Sequence, residues 1–296
     1  MGLLMGSPVL NNCLAKLAAS IHKCCPKEVR PPLLPNDPFP GRQIPHLDRS
    51  IAKYHSNLET IENLCITDFV RKFLNRKKPC IIKNLAGLWP AITKWHDPFY
   101  FCSNFGHRIV PVEIGSRYTD SDWSQRLMPF KDFFYEYIFD SNVDKKGYLA
   151  QHQLLNQIEE LRNDILIPDY CFAKESNMDG DENRIDINTW FGAQSVSPLH
   201  QDPKDNILVQ ICGRKYVHLI DSCESELVYP YTDAILSNTS QIDLQNVDLE
   251  RFPKFKQCRS GTFGILEPGD ALFIPEKWWH YVASLSSWSC SVSYWF

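Results

Sequence analysis

The sequence has no apolar run of the roughly 18 residues that a membrane span requires. It has no Cys-x-x-Cys pair either. Its 11 cysteines are an odd, scattered set, which excludes a disulfide framework or a structural zinc cluster of the usual spacing and points to reduced thiols in the cytosol or nucleus. It lacks an excess of either charge. With 31 Lys and Arg against 35 Asp and Glu, the net charge of −4 offers no basic field, so direct nucleic-acid binding is not expected. The opening stretch MGLLMGSPVLNNCLAKLAAS lacks a basic leader, and Asn11 and Asn12 interrupt its apolar run, so a secretory signal is not expected. Gly6 stands where N-myristoylation requires Ser or Thr. The acidic run Asn177 to Asn183 lacks the glycine and glutamate of a calcium loop and reads as a solvated turn.

What is present is a chain of 296 residues, long enough to bury a large core. Leu14, Leu17, Ile21 and Cys25 recur at helical spacing, which predicts a helix over residues 8–25. Prolines at 26, 31, 32, 35, 38, 40 and 45 then predict an extended linker. The expected organisation is a helical stub and proline-rich linker over residues 1–41, then one catalytic domain over 42–296, with a strand-and-helix part to about 145 and a β core beyond it. Ile51 to Arg76 reads as a helix broken near Asn63, and Trp95 to Phe105 and Met128 to Phe139 as further helices. Arg108 to Tyr118 alternates, with Val110, Val112 and Ile114 on one face and Glu113 on the other. Strands are predicted at 147–154, 170–174, 185–191 and 207–220, around a Pro-Gly-Asp turn within 261–275, and in a closing hairpin. Short helical turns are expected at 239–241 and 249–252. Many short strands separated by turn signals argue for a β-sandwich or barrel.

The chemistry concentrates in Ser195 to Ile220. His200 and Asp202 are two residues apart, so on an extended segment both point the same way. His280 follows 80 residues later, next to a predicted strand entrance. Two imidazoles and a carboxylate on one face of Fe(II), with three positions left open, make a mononuclear non-haem iron site. A second His-x-Asp pair, His46 and Asp48, has no buried-cation strand after it and is not expected to bind metal. Lys215 interrupts an otherwise buried run, and a buried ammonium requires an anion. A two-residue hairpin at Gly213-Arg214 would pair Cys212 with Lys215 and place Lys215 on one face with Gln210, Leu208 and Asn206. A cofactor bearing a carboxylate at each end could then bridge Lys215 and Asn206.

His-x-Asp, Asn206 four residues on, Lys215 nine after that and a distal His resemble the Jumonji-C (JmjC) family of Fe(II)- and 2-oxoglutarate-dependent oxygenases. The stretches PVEIGSRYTDSDWSQ, GYLAQHQLL, SPLHQDPKDNILVQICGRKY, NTSQIDLQNVDLERFPKF and FIPEKWWHYV look like one branch of that family, described both as protein-arginine 3-hydroxylases and as histone lysine demethylases. The likeness runs from about Arg42 to Phe296. It departs at the N-terminus, where longer relatives carry a helical domain. The resemblance implies a mainly β fold with flanking helices, around a double-stranded β-helix of jelly-roll, cupin-like type. It implies His200, Asp202 and His280 as iron ligands, with 2-oxoglutarate and dioxygen as co-substrates. It assigns Lys215, Tyr148 and Ser197 to the far carboxylate of 2-oxoglutarate, and Asn206 and Trp295 to its near end.

The substrate implied is a protein or peptide bearing arginine. Glu113 offers a carboxylate to a guanidinium, and Tyr118 and Trp123 offer aromatic faces. The alternative substrate is methyl-lysine in a histone tail, for which the sequence shows no clear aromatic cage. Two other readings are a non-catalytic binding module, which would be expected to lose part of the triad, and a zinc hydrolase, which leaves Lys215 and Asn206 without a task.

Overall fold

A computed structural model describes residues 53–115, 117–139, 146–174 and 184–296. The predicted helix at 8–25, the proline-rich linker, the His46–Asp48 pair, the acidic run 177–183 and the boundary at residue 42 lie outside the described residues. Among the described residues no helix is long and apolar enough to cross a membrane.

Among the described residues fourteen strands form two sheets. The minor sheet has five: β1 (Ser56–Asn57), β11 (Thr262–Leu266), β10 (Lys215–Ile220), β13 (Trp279–Ser284) and β8 (Val196–His200), in that spatial order. The major sheet has nine, in the order β2 (Thr60–Ile61), β3 (Cys80–Ile82), β12 (Ala271–Ile274), β9 (Asn206–Cys212), β14 (Ser289–Trp295), β7 (Asp186–Gly192), β6 (Gly147–His152), β4 (Ile109–Ile114) and β5 (Ser124–Pro129). From β7 to β10, and again from β11 to β14, each successive strand belongs to the opposite sheet. This is the double-stranded β-helix expected from the sequence.

The alternation overturns two expected hairpins, at Gly213-Arg214 and at the closing strands, while the two strands expected around the Pro-Gly-Asp turn are present. β9 and β10 do not pair across Gly213-Arg214. The Pro-Gly-Asp turn joins β11 of one sheet to β12 of the other, and β13 and β14 are likewise separated. Each tight connection is a corner from sheet to sheet. Cys212 therefore lies opposite Cys290, and Lys215 lies between Leu266 and Ser284. Gly213 makes its corner with φ of +71°, and a Cβ there would meet the Trp288 carbonyl oxygen at 2.2 Å.

Side-chain alternation sorts the core into three layers. Leu208, Val217, Leu219, Leu272 and Val282 fill the space between the sheets. The outer face of the major sheet is covered by aromatic-rich helices, Phe99–Phe105 and Phe130–Phe133, the latter running into a π-helical turn, Phe134–Ile138. Phe101 packs on Phe191 at 5.0 Å between ring centroids and on Phe134 at 5.6 Å, spacings at which aromatic pairs attract beyond their burial. The buried carboxylate of Asp164 ties this layer, accepting hydrogen bonds from Trp95 Nε1 at 3.0 Å and Tyr100 Oη at 2.7 Å. The outer face of the minor sheet is covered by the excursion between β10 and β11, through Val228, Ile242, Leu244 and Phe255.

Other local expectations shift. The first half of the helix expected at 51–76 is the extended pair β1 and β2, and helix begins only at Ile66. Asn63 has φ of 52°, a left-handed residue that ends the extended stretch. Met128 lies in β5, which runs to Pro129, and the helix expected from Met128 starts at Phe130. Residues 169–172 are a 3₁₀ turn, not a strand, and Thr239 sits in a β-bridge to His200 instead of a helical turn.

Gly213→Ala is expected to lower unfolding stability by about 3 kcal/mol, because a left-handed alanine is strained and its methyl group meets backbone that cannot swing away. Chemical denaturation measures this, and an unchanged midpoint would show that the corner tolerates a side chain.

Candidate metal centre

His200 and His280 are direct cross-strand neighbours in the β8–β13 register, with ring centroids 4.2 Å apart. Strand pairing thus closes the 80-residue gap between them. Asp202 follows β8, and its carbonyl accepts a hydrogen bond from Lys277 N at 2.7 Å, tying the two ligand-bearing segments together. One donor atom from each of His200, Asp202 and His280 lies within 4.8 Å of the others.

The hydrogen bonds fix the protons. His200 Nδ1 lies 2.7 Å from the Pro198 carbonyl and His280 Nδ1 lies 2.9 Å from the Trp278 carbonyl. A carbonyl only accepts, so each Nδ1 carries the proton and each Nε2 presents a lone pair. His280 Nε2 is 3.5 Å from Asp202 Oδ2. Two lone pairs and a carboxylate converge with no proton between them, and a cation at that point would turn repulsion into attraction. Burial and the nearby His280 push the His200 imidazole down to about 4, so it is neutral and free to ligate at ordinary pH. The donor set fits a divalent transition metal with positions left open.

Beside the triad lies a cavity of about 300 Å³. Its wall includes His200, Asp202, Tyr148, Ser197, Trp295 and Glu113. Strand register explains the gathering. Glu113 pairs with Tyr148, Tyr148 with Gly192, Trp190 with Ser291, and Trp295 with Asn206, so these positions share the inner face of the major sheet. Ser197, His200, His280 and Lys215 face them from the minor sheet.

Three polar groups here wait for a partner. Asn206 Oδ1 and Trp295 Nε1 are buried and unbonded among the described residues, on directly opposite residues of β9 and β14. Leaving each unsatisfied costs about 1–3 kcal/mol. Lys215 is 2 % exposed, and no described carboxylate pairs with it. Burial pushes its ammonium down to about 8. The ammonium lies 6.0 Å from the centroid of the Tyr148 ring. Burial pushes the Tyr148 phenol up, while the hydroxyls of Ser197 and Ser195 beside it favour its ionised form. A buried cation, an unpaired indole N–H and several hydroxyls fit a small dicarboxylate, while the orphaned Asn206 Oδ1 is an acceptor and calls for a donor instead.

Glu113 stands half-buried on the cavity wall, where burial pushes its carboxyl up although Trp123 Nε1 donates to it at 3.4 Å. Tyr118 also lines the cavity, and its hydroxyl meets Thr239 Oγ1 at 3.0 Å. Trp123 does not reach the main cavity. It lines a smaller void of about 10 Å³ beside it and is 37 % exposed. Sequence reasoning missed Trp190, Gln151 and Asn238, which also face the cavity. Trp190 shares the alternation of its strand with the other inner residues, but nothing in the sequence says which face is the inner one. Gln151 has φ of 46°, a local bend with no sequence signal.

A double-stranded β-helix with this donor set inside defines a cupin-like domain, and the family model of that description matches residues 66–296. The chain is 45 % identical over 261 residues to lysine-specific demethylase 8 of Xenopus tropicalis, covering 88 % of this chain and 56 % of that protein. It is 42 % identical over 304 residues to lysine-specific demethylase 8 of Danio rerio, covering 100 % of this chain and 72 % of that protein. It is 43 % identical over 245 residues to lysine-specific demethylase JMJ30 of Arabidopsis thaliana, covering 80 % and 54 %. The chain therefore belongs to the JmjC branch of the cupin-like family. It spans little more than half the length of the Xenopus and Arabidopsis relatives.

His200→Ala is expected to weaken Mn(II) binding by about a hundredfold or more, as removal of a direct ligand should cost at least what loss of an outer partner does. Calorimetric titration reads this, and unchanged affinity would remove His200 from the metal centre.

Proposed function

We propose that the protein is an Fe(II)- and 2-oxoglutarate-dependent oxygenase that hydroxylates an arginine side chain, at C3, in a protein substrate. The observation that carries this reading is that Glu113, a carboxylate, shares one cavity wall with His200 and Asp202. A guanidinium held there would bring the carbon atoms of its own side chain towards the metal ligands. His200, Asp202 and His280 would hold Fe(II). Lys215 would pair with the distal carboxylate of 2-oxoglutarate, Tyr148 and Ser197 would donate to it, and Asn206 and Trp295 would flank its other end. Iron and 2-oxoglutarate, when bound, would let dioxygen act as the oxidant: 2-oxoglutarate would give up two electrons on decarboxylation to succinate and carbon dioxide, the substrate C–H bond the other two, and one oxygen atom would enter each product.

The protein's own contribution is orientation and exclusion of water. Glu113 is partly desolvated, which strengthens a charge-assisted pair with a guanidinium. Tyr118, Tyr148, Trp190 and Trp295 supply flat walls along which an extended aliphatic stem can lie. Those same four aromatic rings favour a second reading, demethylation of methyl-lysine, in which rings and not a carboxylate hold the cation. The names of the relatives, lysine-specific demethylases, agree with that alternative. Glu113 separates the two readings, because a guanidinium needs the carboxylate more than a methylated ammonium caged by aromatics does.

Mass spectrometry of arginine and methyl-lysine peptides, incubated with enzyme, Fe(II), 2-oxoglutarate and oxygen, is expected to show one added oxygen on arginine. Glu113→Gln should reduce that product about tenfold or more. Demethylation of lysine with arginine untouched would overturn the hydroxylase reading.

Lys215 predicts a pH signature. Its ammonium, not the amine, attracts a carboxylate, so affinity for 2-oxoglutarate is present below the Lys215 pKa and lost above it. With that pKa near 8, calorimetry should show affinity falling as pH rises from 7 to 9. Lys215→Met should bind weakly and with a flat profile. A flat wild-type profile would separate Lys215 from the cofactor.

A further inference from the structure

Among the described residues the two sheets are unequal, nine strands against five, and one part of the major sheet's inner face carries exposed side chains. That part is the β4–β5 hairpin. Its inner positions follow from the register: Glu113 opposite Gln125, Pro111 opposite Leu127 and Ile109 opposite Pro129. Val110 and Val112 point the other way and are fully buried against the helices. Going outward from the cavity, the inner face thus runs from a carboxylate to a ledge of Pro111, Leu127, Ile109 and Pro129. Leu127 is 71 % exposed and Ile109 49 % exposed. Exposed large hydrophobes that share one face and adjoin a cavity mark a recognition surface more often than singly scattered ones do. β5 is also an edge strand, with no described strand on its far side, so its outer backbone groups remain open to an extended chain.

We propose that this ledge seats the substrate polypeptide beside its target residue. The inference rests on the oxygenase reading above and adds a sequence requirement to it. The occupant is an extended segment of substrate, because the ledge is continuous with the cavity through Glu113, which belongs to both. At about 3.3 Å per residue, Pro111 and Leu127 lie about 7 Å along the strand from Glu113, and Ile109 and Pro129 about 13 Å. An extended substrate has the same rise. It therefore places apolar side chains on the ledge when they stand two and four positions from the target, on one side of it.

The test is a set of arginine-centred peptides with leucine or serine at positions two and four on either side. Binding is read by fluorescence polarisation with Mn(II) in place of iron, and oxidation by mass spectrometry with Fe(II). Wild-type protein is expected to bind the leucine peptides on one side about fivefold or more tightly than the serine peptides, an effect on the scale of one or two partly buried side chains. Leu127→Lys should abolish that preference and raise KM for the leucine peptide while leaving kcat, and KM for 2-oxoglutarate, unchanged. Leu127 is exposed, so the variant is expected to fold, and an unchanged denaturation midpoint checks this. Equal binding of leucine and serine peptides, or a preference that survives Leu127→Lys, overturns the ledge. So does a wild-type dimer that Leu127→Lys converts to monomer without altering peptide preference, since the occupant would then be a second copy of this chain. Peptide preference without oxidation counts against the oxygenase reading alone.

Discussion

The candidate site depends on one strand register. β8 and β13 are aligned so that His200 faces His280. A slip of one residue would turn one imidazole to the outer face, where Trp279 and Tyr281 pack against the β10–β11 excursion. The ladder shifts once, between His280 and Val282, so that Val282 meets Ser197. That irregularity lets an imidazole pair and a serine occupy successive positions on the same inward face. Further along, β10 continues the face from β13, with Ser284 opposite Lys215. Metal ligands and the buried ammonium are thus set by one continuous piece of hydrogen-bonded sheet.

The opposing sheet contributes a different chemistry. Its inner face carries Glu113, Tyr148, Trp190, Asn206 and Trp295, side chains with polar tips and sizeable apolar bodies. Between the two faces Leu208, Val217 and Leu272 close the barrel with an apolar plug. Cavity and plug share one interior, so polar groups at one end are held rigid by hydrophobic packing at the other. Gln210 shows how completely the neighbouring polar groups are satisfied. Its amide donates to the Cys212 and Gly213 carbonyls and to Ser289 Oγ, and its carbonyl accepts from Ser291 Oγ. Against that background the unbonded Asn206 Oδ1 and Trp295 Nε1 are exceptions, and Trp295 lines the cavity.

Much of the chemistry was legible in the sequence because it depends on residue type and short spacing. His200 and Asp202 at i and i+2, and a lysine in an apolar run, can be read without coordinates. The strand alternation of residues 109–114 also placed Glu113 opposite Val110 and Val112 correctly. Topology was less legible. Gly213-Arg214 has the composition of a hairpin turn, and so does Pro268-Gly269, yet both are corners between sheets. A tight turn specifies a reversal of direction but not whether hydrogen bonds or side chains will meet across it. The helix expected from Ile51 failed for a related reason, since short strands at a sheet edge are recruited by β11 and β3 and not by their own periodicity. Of the aromatic cavity walls, Tyr118, Tyr148 and Trp295 were reached only through the family resemblance and Trp190 was missed, because four segments far apart in sequence supply them.

The order of strands in sequence has a temporal consequence. β14, which joins β9 to β7, is the last strand in sequence but stands in the middle of the major sheet. At typical synthesis rates of 5–20 residues per second, His280 leaves the ribosome about 4 to 16 s after His200. Until β14 follows, β7, β6, β4 and β5 have no strand linking them to the rest of their sheet. The nascent chain must carry exposed strand edges and an incomplete ligand set through that interval, so the metal centre is completed only after His280 emerges.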